Sequence, residues 1–166
     1  KPQTRRYGIW TDLEADGGRI GYMRYGLDGN LKSLSGFPEF WSINPDGTGK
    51  RREFSDTRNK MTRTLCYSWS PDGNAVAFSS TRSENIQEVF IYELLTGKER
   101  QLTHLNSRID ELRWASNGWI LFSSNYSGTS NLWIVPADGG NPVQFTEGTT
   151  SYLSMSIAAD CRTLLA

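Results

Sequence analysis

The sequence has few of the residues that most often carry enzyme or metal chemistry. Its 166 residues include one histidine and two cysteines. Cys66 and Cys161 are about 95 positions apart, with no Cys-x-x-Cys spacing and no histidine nearby. This pattern excludes a zinc site and leaves a single disulfide possible but unsupported. Cysteine usage therefore does not indicate a cellular compartment.

Long basic blocks and long apolar runs are also missing. Lysine plus arginine equals aspartate plus glutamate at 18 each, and the largest basic groups are Arg5-Arg6 and Lys50-Arg51-Arg52. The sequence thus lacks the electrostatic pattern of a nucleic-acid-binding protein, and we expect no nucleic-acid partner. It also has no run of about 18 apolar residues, so we predict no membrane span.

Aromatic residues and glycine are abundant. The chain has six Trp, seven Tyr, seven Phe and sixteen Gly. Because aromatic residues favour strands and glycine favours turns, this composition predicts an all-β protein. A chain of this length buries roughly 70% of its unfolded surface, which is enough for a substantial core.

The clearest local pattern is the segment YSWSPDGNAVAFSSTR, residues 67–82. Apolar and small polar residues alternate on both sides of Pro71-Asp72-Gly73, as in two half-buried strands. Proline fixes φ for a turn, aspartate bonds its own backbone, and glycine adopts a positive φ at little cost. The segment therefore predicts a β-hairpin.

This hairpin recurs. The segment LRWASNGWILFSSN (112–125) matches it with Trp114 on Trp69 at a shift of 45 and Phe122 on Phe78 at a shift of 44. The turn also recurs near the start, in LEADGGRIGYM, and near the end, in MSIAADCRTLLA. A second strand-turn-strand unit follows each of the first three copies, at 40–54, 89–103 and 131–146. Four short strands in each repeat of about 40 to 50 residues are typical of a propeller blade.

We therefore predict one partial β-propeller domain over residues 1–166. Blade one spans 7–55, blade two 65–103 and blade three 109–146, and residues 152–166 begin a fourth. An incomplete stack leaves an apolar blade face uncovered. The expectation is a part of a larger propeller; if the chain is full length, self-association would cover that face.

The combination of WSPDG, VAFSSTR, FIYELLTG and RQLT in blade two resembles the TolB-like β-propeller repeat, the Pro-Asp relative of the WD-type repeat. Blade three is similar but reads RWASNG, and blade one reads WTDLEADG in its first strand. The resemblance implies a bacterial, periplasmic or otherwise extracytoplasmic protein that acts as a platform for protein–protein interaction. The same repeat builds the propellers of prolyl-oligopeptidase-type enzymes and sensor parts of signalling proteins.

Catalytic and metal motifs are not evident in the sequence. No Gly-x-Ser-x-Gly nucleophile elbow occurs, and the sole histidine, His104, is placed by the repeat in an exposed connection. Asp12, Glu14 and Asp16 share one strand and its turn, but nothing shows that carboxylates converge as a glycosidase requires. The Asp-Gly pairs lack calcium-loop spacing. We expect no cofactor and no metal. Whether the protein is an enzyme stays open, and the lack of a catalytic motif in this chain argues against catalysis.

The recurring Trp residues are interpreted as packing between blades, whereas Trp119 has no counterpart in the other repeats. In a propeller, the loops between the second and third strands share one face with the connections between blades. That face carries the candidate binding residues: Arg82, Glu84, Asn85, Asn106, Ser107, Arg108, Asp110, Asn125 and Tyr126. Their mixture of charge, amide and aromatic groups suits a protein or peptide contact. The longer segment 25–40 of blade one is interpreted as a loop on this face.

Three functions remain in view. The first is a non-catalytic binding module that presents loops and a channel mouth to a protein or peptide. The second is the substrate-gating propeller of a prolyl-oligopeptidase-type peptidase or a carbohydrate-active enzyme. The third is the sensor domain of a signalling protein. Fold alone does not decide among them.

Overall fold

The computed structural model describes residues 10–13, 18–27, 34–55, 66–83, 86–148, 151–152, 155–157 and 164–165. In this part of the chain all regular structure is β, and the strands form three four-stranded antiparallel sheets and one two-stranded pair. The predicted all-β class and partial propeller architecture are confirmed. Within each four-stranded sheet, the strands lie in sequence order, so every neighbour is reached by a hairpin.

The strand bounds follow the repeats. Sheet one contains β1 (Trp10–Leu13), β2 (Ile20–Leu27), β3 (Leu34–Ile43) and β4 (Arg51–Ser55). Sheet two contains β5 (Tyr67–Trp69), β6 (Ala75–Ser83), β7 (Ile86–Glu93) and β8 (Glu99–Gln101). Sheet three contains β9 (Ile109–Trp114), β10 (Trp119–Ser124), β11 (Asn131–Pro136) and β12 (Val143–Gln144), and the last pair is β13 (Ser156–Ile157) with β14 (Leu164–Leu165).

The repeat shift is 45 residues at the Trp positions and 44 at the Phe positions. The turn of each hairpin lies between these two positions and accounts for the difference of one residue. In sheet two the amide of Ser70 donates to the carbonyl of Ala75, which encloses four residues, and Gly73 has φ +69°. In sheet three the amide of Ala115 donates to the carbonyl of Trp119, which encloses only three. The turn without Pro-Asp is therefore one residue shorter, and it closes through Gly118 at φ +84°.

The segment 25–40 differs from its prediction as a loop. Residues 25–27 belong to β2 and residues 34–40 to β3, with Gly26 paired to Ser35 and Leu27 to Leu34. Pro38 lies in β3 where the register shifts between the Arg24 and Gly26 pairs. A bulge tolerates proline because no ladder hydrogen bond is needed from its nitrogen. The described parts of this segment thus extend the sheet, and residues 28–33 between them lie outside the described residues.

The core lies between the sheets. One cluster joins Met23, Phe40 and Phe54 of sheet one to aromatic residues of sheet two, with Phe40 and Phe54 stacked at 4.2 Å between ring centroids. A second joins sheets two and three, and its members include Val89, Leu102, Leu112 and Phe122. Burial of large apolar side chains at each sheet-to-sheet contact is the main favourable contribution to folding.

Trp69 and Trp133 lie in these clusters at 4% and 7% exposure, whereas Trp119 is 37% exposed at the start of β10. The interpretation of the recurring Trp residues as packing groups agrees with the structure for Trp69 and Trp133, and Trp114 packs half-buried against the second cluster. Trp41 differs, because it is half-buried and belongs to neither described cluster.

Candidate functional site

The candidate site is formed by two segments, the connection 102–108 after β8 and the turn 125–130 between β10 and β11. We call these segments together the loop face. The sheet strands hold both segments, because β7 pairs with β8 and β10 pairs with β11 at their bases. A functional surface on such a scaffold has its backbone positions fixed before a partner arrives.

A buried carboxylate organises the first segment. Glu88 is fully buried in β7. Its Oε2 accepts hydrogen bonds from Thr103 Oγ1 at 2.7 Å and from the amide of Leu105 at 3.0 Å, and its Oε1 accepts from the amide of Asn106 at 2.8 Å. These charge-assisted bonds satisfy the carboxylate where water does not reach it. They also hold Asn106 at φ +50°, in the left-handed region.

The two segments are joined to each other by buried polar contacts. Ser107 and Ser124 share a hydrogen bond at 2.6 Å between their hydroxyl oxygens. The amide of Gln87 donates to the carbonyl of Ser107 at 2.9 Å, and the Gln87 side chain accepts from the amide of Ile109 at 2.8 Å. The connection is consequently tied to sheet two on one side and to sheet three on the other.

An ion pair lies at the exposed rim of this junction. Arg108 Nε is 2.5 Å from Asp110 Oδ1, with 59% of the arginine side chain exposed and 11% of the aspartate. The amide of Arg108 donates to Asn125 Oδ1 at 2.9 Å. Asp110 Oδ2 also accepts from Ser130 Oγ at 3.4 Å. The guanidinium is therefore presented to solvent from a fixed backbone.

An exposed aromatic ring completes the loop face. Tyr126 is 55% exposed, and its ring meets that of Trp133 edge-on at 5.4 Å between centroids, with an interplanar angle of 73°. Edge-to-face contacts of this kind are a preferred arrangement of aromatic pairs. The ring is supported from beneath while one side remains available.

The structure brings several of the predicted binding residues together and separates others. Arg108, Asp110 and Asn125 are linked directly by the contacts above, and Ser107 and Tyr126 adjoin Arg108 and Asn125 in the chain. The exposed Asn106 precedes Ser107. Ser107 is only 8% exposed, so it supports the surface from inside. Arg82 lies near the end of β6, with only its backbone described, and Glu84 and Asn85 lie outside the described residues. Their role in binding stays a prediction.

Sequence reasoning missed the buried polar support. The signal was Gln-x-Thr, which occurs at 101–103 and again at 144–146. In both copies the threonine hydroxyl accepts from the backbone amide of the preceding strand, Val89 at 2.9 Å and Leu132 at 3.0 Å. Each hydroxyl also donates to a side chain, Glu88 in sheet two and Asn131 in sheet three. Glu88 in sheet two therefore accepts the hydrogen bond that Asn131 accepts in sheet three.

Within the described part of the chain, the residues that could carry metal chemistry do not form a cluster. His104 is exposed, and its Nδ1 hydrogen-bonds Gln101 Nε2 at 2.9 Å. Asp12 lies in β1, whereas Glu14 and Asp16 lie outside the described residues. No group of three or more His, Cys, Asp or Glu side chains could hold a metal ion in the part of the chain that the structure describes. Over those same residues, no helix is long and apolar enough to cross a membrane.

Cys66 is a free thiol. The residue is half-buried, and its Sγ donates to Ser79 Oγ at 3.1 Å. Desolvation raises the pKa of the Cys66 thiol from 9.0 to about 12, outweighing the opposing effect of the Ser79 hydrogen bond. A thiol with such a raised pKa is a poor nucleophile at neutral pH.

No family model matches this sequence. An uncharacterised protein of Agrobacterium fabrum is 30% identical over 95 residues, which cover 55% of this chain and 32% of that protein. The chain therefore spans about a third of the relative it matches.

Solved structures give the fold. TolB from Acinetobacter baumannii matches with a TM-score of 0.77 at 16% identity, covering 95% of this chain and 37% of that one. A TolB-type protein from Agrobacterium tumefaciens matches with a TM-score of 0.71 at 18% identity, over 90% of this chain and 50% of that one. The β-propeller domain of the Trilobed protease from Pyrococcus furiosus matches with a TM-score of 0.60 at 16% identity, over 87% and 44%. The chain has the TolB-like β-propeller fold, and it spans half or less of each of these structures.

Proposed function

We propose that the chain is a non-catalytic binding module whose loop face contacts a protein or peptide partner. The observation that carries this proposal is that the exposed Tyr126, supported by Trp133, directly follows Asn125, whose side chain accepts from the amide of the exposed Arg108. Tyrosine and arginine are enriched among the residues that dominate interface energies. The backbone under both is held by hydrogen bonds, so little conformational freedom is lost on binding.

The rest of the surface suits recognition more than chemistry. The sole histidine is exposed and pairs with an amide, and the sequence contains no Gly-x-Ser-x-Gly. Asn106 and Asn125 are both exposed, Asn106 two residues before Arg108 and Asn125 in contact with the Arg108 amide, and their side-chain amides can donate and accept hydrogen bonds. An extended peptide that carries an acidic or amide side chain and an apolar one would match this set.

The geometry does not specify the partner, so the test begins by selecting peptides that bind the protein. Peptides are selected from a random phage-displayed library on the immobilised protein, synthesised and measured by isothermal titration calorimetry. Hot-spot truncations cost about 2 kcal/mol or more, which is roughly 30-fold in affinity. We expect Tyr126→Ala and Arg108→Ala each to weaken the selected peptides by at least about 10-fold.

Leu95→Ala is the matched control, because Leu95 is 84% exposed in the β7–β8 turn at the opposite end of the sheet. It should leave the affinity unchanged. Enrichment of no peptide, or equal affinity for the wild-type protein and both loop-face variants, would contradict the proposal.

Similarity to the Trilobed protease propeller supports a second candidate, a propeller that controls access to a peptidase active site elsewhere in a longer protein. Reading the coding sequence on both sides of this chain tests it. A neighbouring segment with a Gly-x-Ser-x-Gly elbow supports this role, and continuous propeller repeats without one argue against it. The TolB-like fold also favours an extracytoplasmic location, which cell fractionation with an antibody against the chain would test.

A further inference from the structure

Two side chains of the loop face keep hydrogen-bond donors that no described residue uses. Arg108 Nε is paired with Asp110 Oδ1 at 2.5 Å, and among the described residues its Nη1 and Nη2 atoms have no hydrogen-bond partner. Asn125 uses its acceptor internally, because its Oδ1 accepts from the amide of Arg108 at 2.9 Å. Its Nδ2 donor has no partner in the same part of the chain. Hydrogen-bond donors are therefore what these two residues offer to a ligand.

The contact with the Arg108 amide fixes the orientation of the Asn125 side chain. A backbone amide donates and does not accept, so the Asn125 atom that faces it must be the oxygen. The other terminal atom is then the nitrogen, which is a donor only. The contact also joins the connection after β8 to the turn after β10, at the junction of sheets two and three. The two donor groups thus belong to residues that touch each other.

Asp110 leaves the guanidinium accessible. The Arg108 side chain is 59% exposed, whereas that of Asp110 is 11% exposed. Both oxygens of Asp110 have partners within the protein, because Oδ1 pairs with Arg108 and Oδ2 accepts from Ser130 Oγ at 3.4 Å. A ligand that approaches from solvent therefore meets the guanidinium rather than the carboxylate. Asp110 also restrains the arginine side chain, so less conformational freedom is lost on binding.

Donors of this kind select an acceptor, and a carboxylate suits them best. The Nη atoms of a guanidinium form a planar fork that matches the two oxygens of a carboxylate. Charge-assisted hydrogen bonds are about twice as strong as neutral ones, so an acidic group is favoured over an amide. Asn125 Nδ2 supplies a further donor, and the exposed ring of Tyr126 follows it in the chain.

We propose that Arg108 and Asn125 form the carboxylate-binding part of the loop face. A carboxylate of the bound peptide accepts from the Nη atoms of Arg108 and from Asn125 Nδ2, and a neighbouring apolar side chain packs on Tyr126. The carboxylate belongs to an acidic side chain or to the C-terminus of the peptide. This proposal rests on the proposed function, and it specifies the chemical group that the partner must carry.

The probes are three synthetic pentapeptides with acetylated N-termini. The first, Gly-Leu-Glu-Leu-Gly with an amidated C-terminus, carries only a side-chain carboxylate. The second, Gly-Leu-Gln-Leu-Gly with a free C-terminus, carries only a terminal carboxylate. The third is the same Gln peptide with an amidated C-terminus, and it carries neither.

NMR titration of the isotopically labelled protein follows the side-chain N–H resonances of Arg108 and Asn125. We expect one or both carboxylate peptides to bind at least about 5-fold more tightly than the third peptide, because a charge-assisted bond replaces a neutral one. The peptide that shows this preference identifies the source of the carboxylate. Arg108→Gln should abolish the preference.

Asn125→Asp tests the second donor. It keeps the oxygen that accepts from the Arg108 amide but replaces Nδ2 with a negatively charged acceptor. The carboxylate peptides should therefore bind at least about 5-fold more weakly. Ser127→Asp adds the same charge to the same exposed turn, two residues further along, and should cost less. Equal losses in the two variants would show that Asn125 Nδ2 is not a ligand-binding donor.

Arg51 is the matched control for Arg108. Its Nε lies 2.6 Å from Glu53 Oε1, and its side chain is also 59% exposed, so exposure and pairing are the same in sheet one. Arg51→Gln should leave the affinity of all three peptides unchanged. If Arg51→Gln and Arg108→Gln weakened binding equally, attraction by any exposed arginine would explain the result and the proposal would be overturned.

The remaining outcomes are also decisive. The proposal is overturned if no peptide shifts the Arg108 and Asn125 resonances, if all three shift them alike, or if inorganic phosphate binds more tightly than both carboxylate peptides. Thermal melting confirms that each variant is folded. Library-selected peptides that require Tyr126 and Arg108 but bind equally well with Glu replaced by Gln and the C-terminus amidated would keep the binding module and remove its carboxylate specificity. The two proposals therefore fail in different ways.

Discussion

The indole of Trp69 occupies the space that a side chain at position 21 would need. A Cβ built on Gly21 would overlap the indole nitrogen, and the Tyr67 hydroxyl donates to the carbonyl of Gly21 at 3.3 Å. Sheets one and two therefore approach closely at this point, and glycine is the residue that permits it.

The first prediction follows from this contact. Gly21→Ala should destabilise the protein by about 1 to 3 kcal/mol, because overpacking forces the indole or the sheets to move. The measurement is urea unfolding followed by tryptophan fluorescence. In the background Trp69→Leu the same change should cost much less, since the two sites are coupled. An equal cost in both backgrounds would show that the contact does not limit position 21.

The second prediction concerns the buried Glu88. Glu88→Gln keeps the shape but replaces one acceptor oxygen with a donor facing other donors, so we expect a loss of about 1 to 3 kcal/mol. The amides of Leu105 and Asn106 should exchange hydrogen faster, because both donate to this carboxylate. Glu147→Gln, at an exposed position, is the control. Unchanged exchange at both amides would refute the anchoring role.

The third prediction compares two equivalent positions. The amides of Leu102 and Phe145 each donate to the third strand of their sheet at 2.7 Å, but Leu102 is 6% exposed and Phe145 is 55% exposed. Leu102→Ala should cost about 2 to 5 kcal/mol, as is usual for a buried leucine. Phe145→Ala should cost less than about 1 kcal/mol despite the larger ring. Thermal and urea unfolding of the two variants measure these losses of stability. A greater loss in Phe145→Ala than in Leu102→Ala would contradict the prediction from burial.

The fourth prediction concerns Cys66. Since its thiol pKa is raised to about 12 in the folded protein, the thiol stays protonated at pH 8 and should resist iodoacetamide until urea is added. The unfolded chain loses this proton near pH 9, so the stability contributed by the protonated thiol is full below that pH and falls as pH rises towards 12. Peptide mapping by mass spectrometry locates the label. Labelling of native Cys66 at the rate of glutathione would exclude the burial effect.

The fifth prediction uses the Pro-Asp turn. The pKa of Asp72 lies below its ordinary 3.8. The largest cause is a hydrogen bond from Ser70 Oγ at 2.6 Å, and the second is a hydrogen bond from the amide of Asn74. A lowered pKa contributes stability above the unfolded value, and this contribution is lost as pH falls through the folded value. Asp72→Asn should therefore be less stable than wild type at neutral pH, with the difference shrinking below about pH 4. Asp138→Asn, in another turn, serves as the control. If the stability difference between Asp72→Asn and wild type did not change with pH, the ionised carboxylate would not be its cause.

Part of the candidate site was visible in the sequence. The repeat placed Arg108, Asn125 and Tyr126 on the same end of adjacent sheets, because a hairpin order of strands fixes which connections share an edge. The buried support of the connection 102–108 was not visible, since Glu88 reads as an ordinary charged residue in a strand. Its burial depends on the connection 103–106 folding back over it.

The sequence by itself determined the hairpins and their order. Alternating apolar residues and turn signals act over a few residues, so local chemistry was sufficient to place the β5–β6 and β9–β10 turns, including the one-residue difference between them. Only the tertiary structure decided which aromatic faces are covered. Trp41 and Trp133 occupy equivalent strand positions, yet one carries cations at a half-buried surface and the other lies in a core. Burial depends on what a neighbouring sheet presents, and no pattern within a single repeat contains that information.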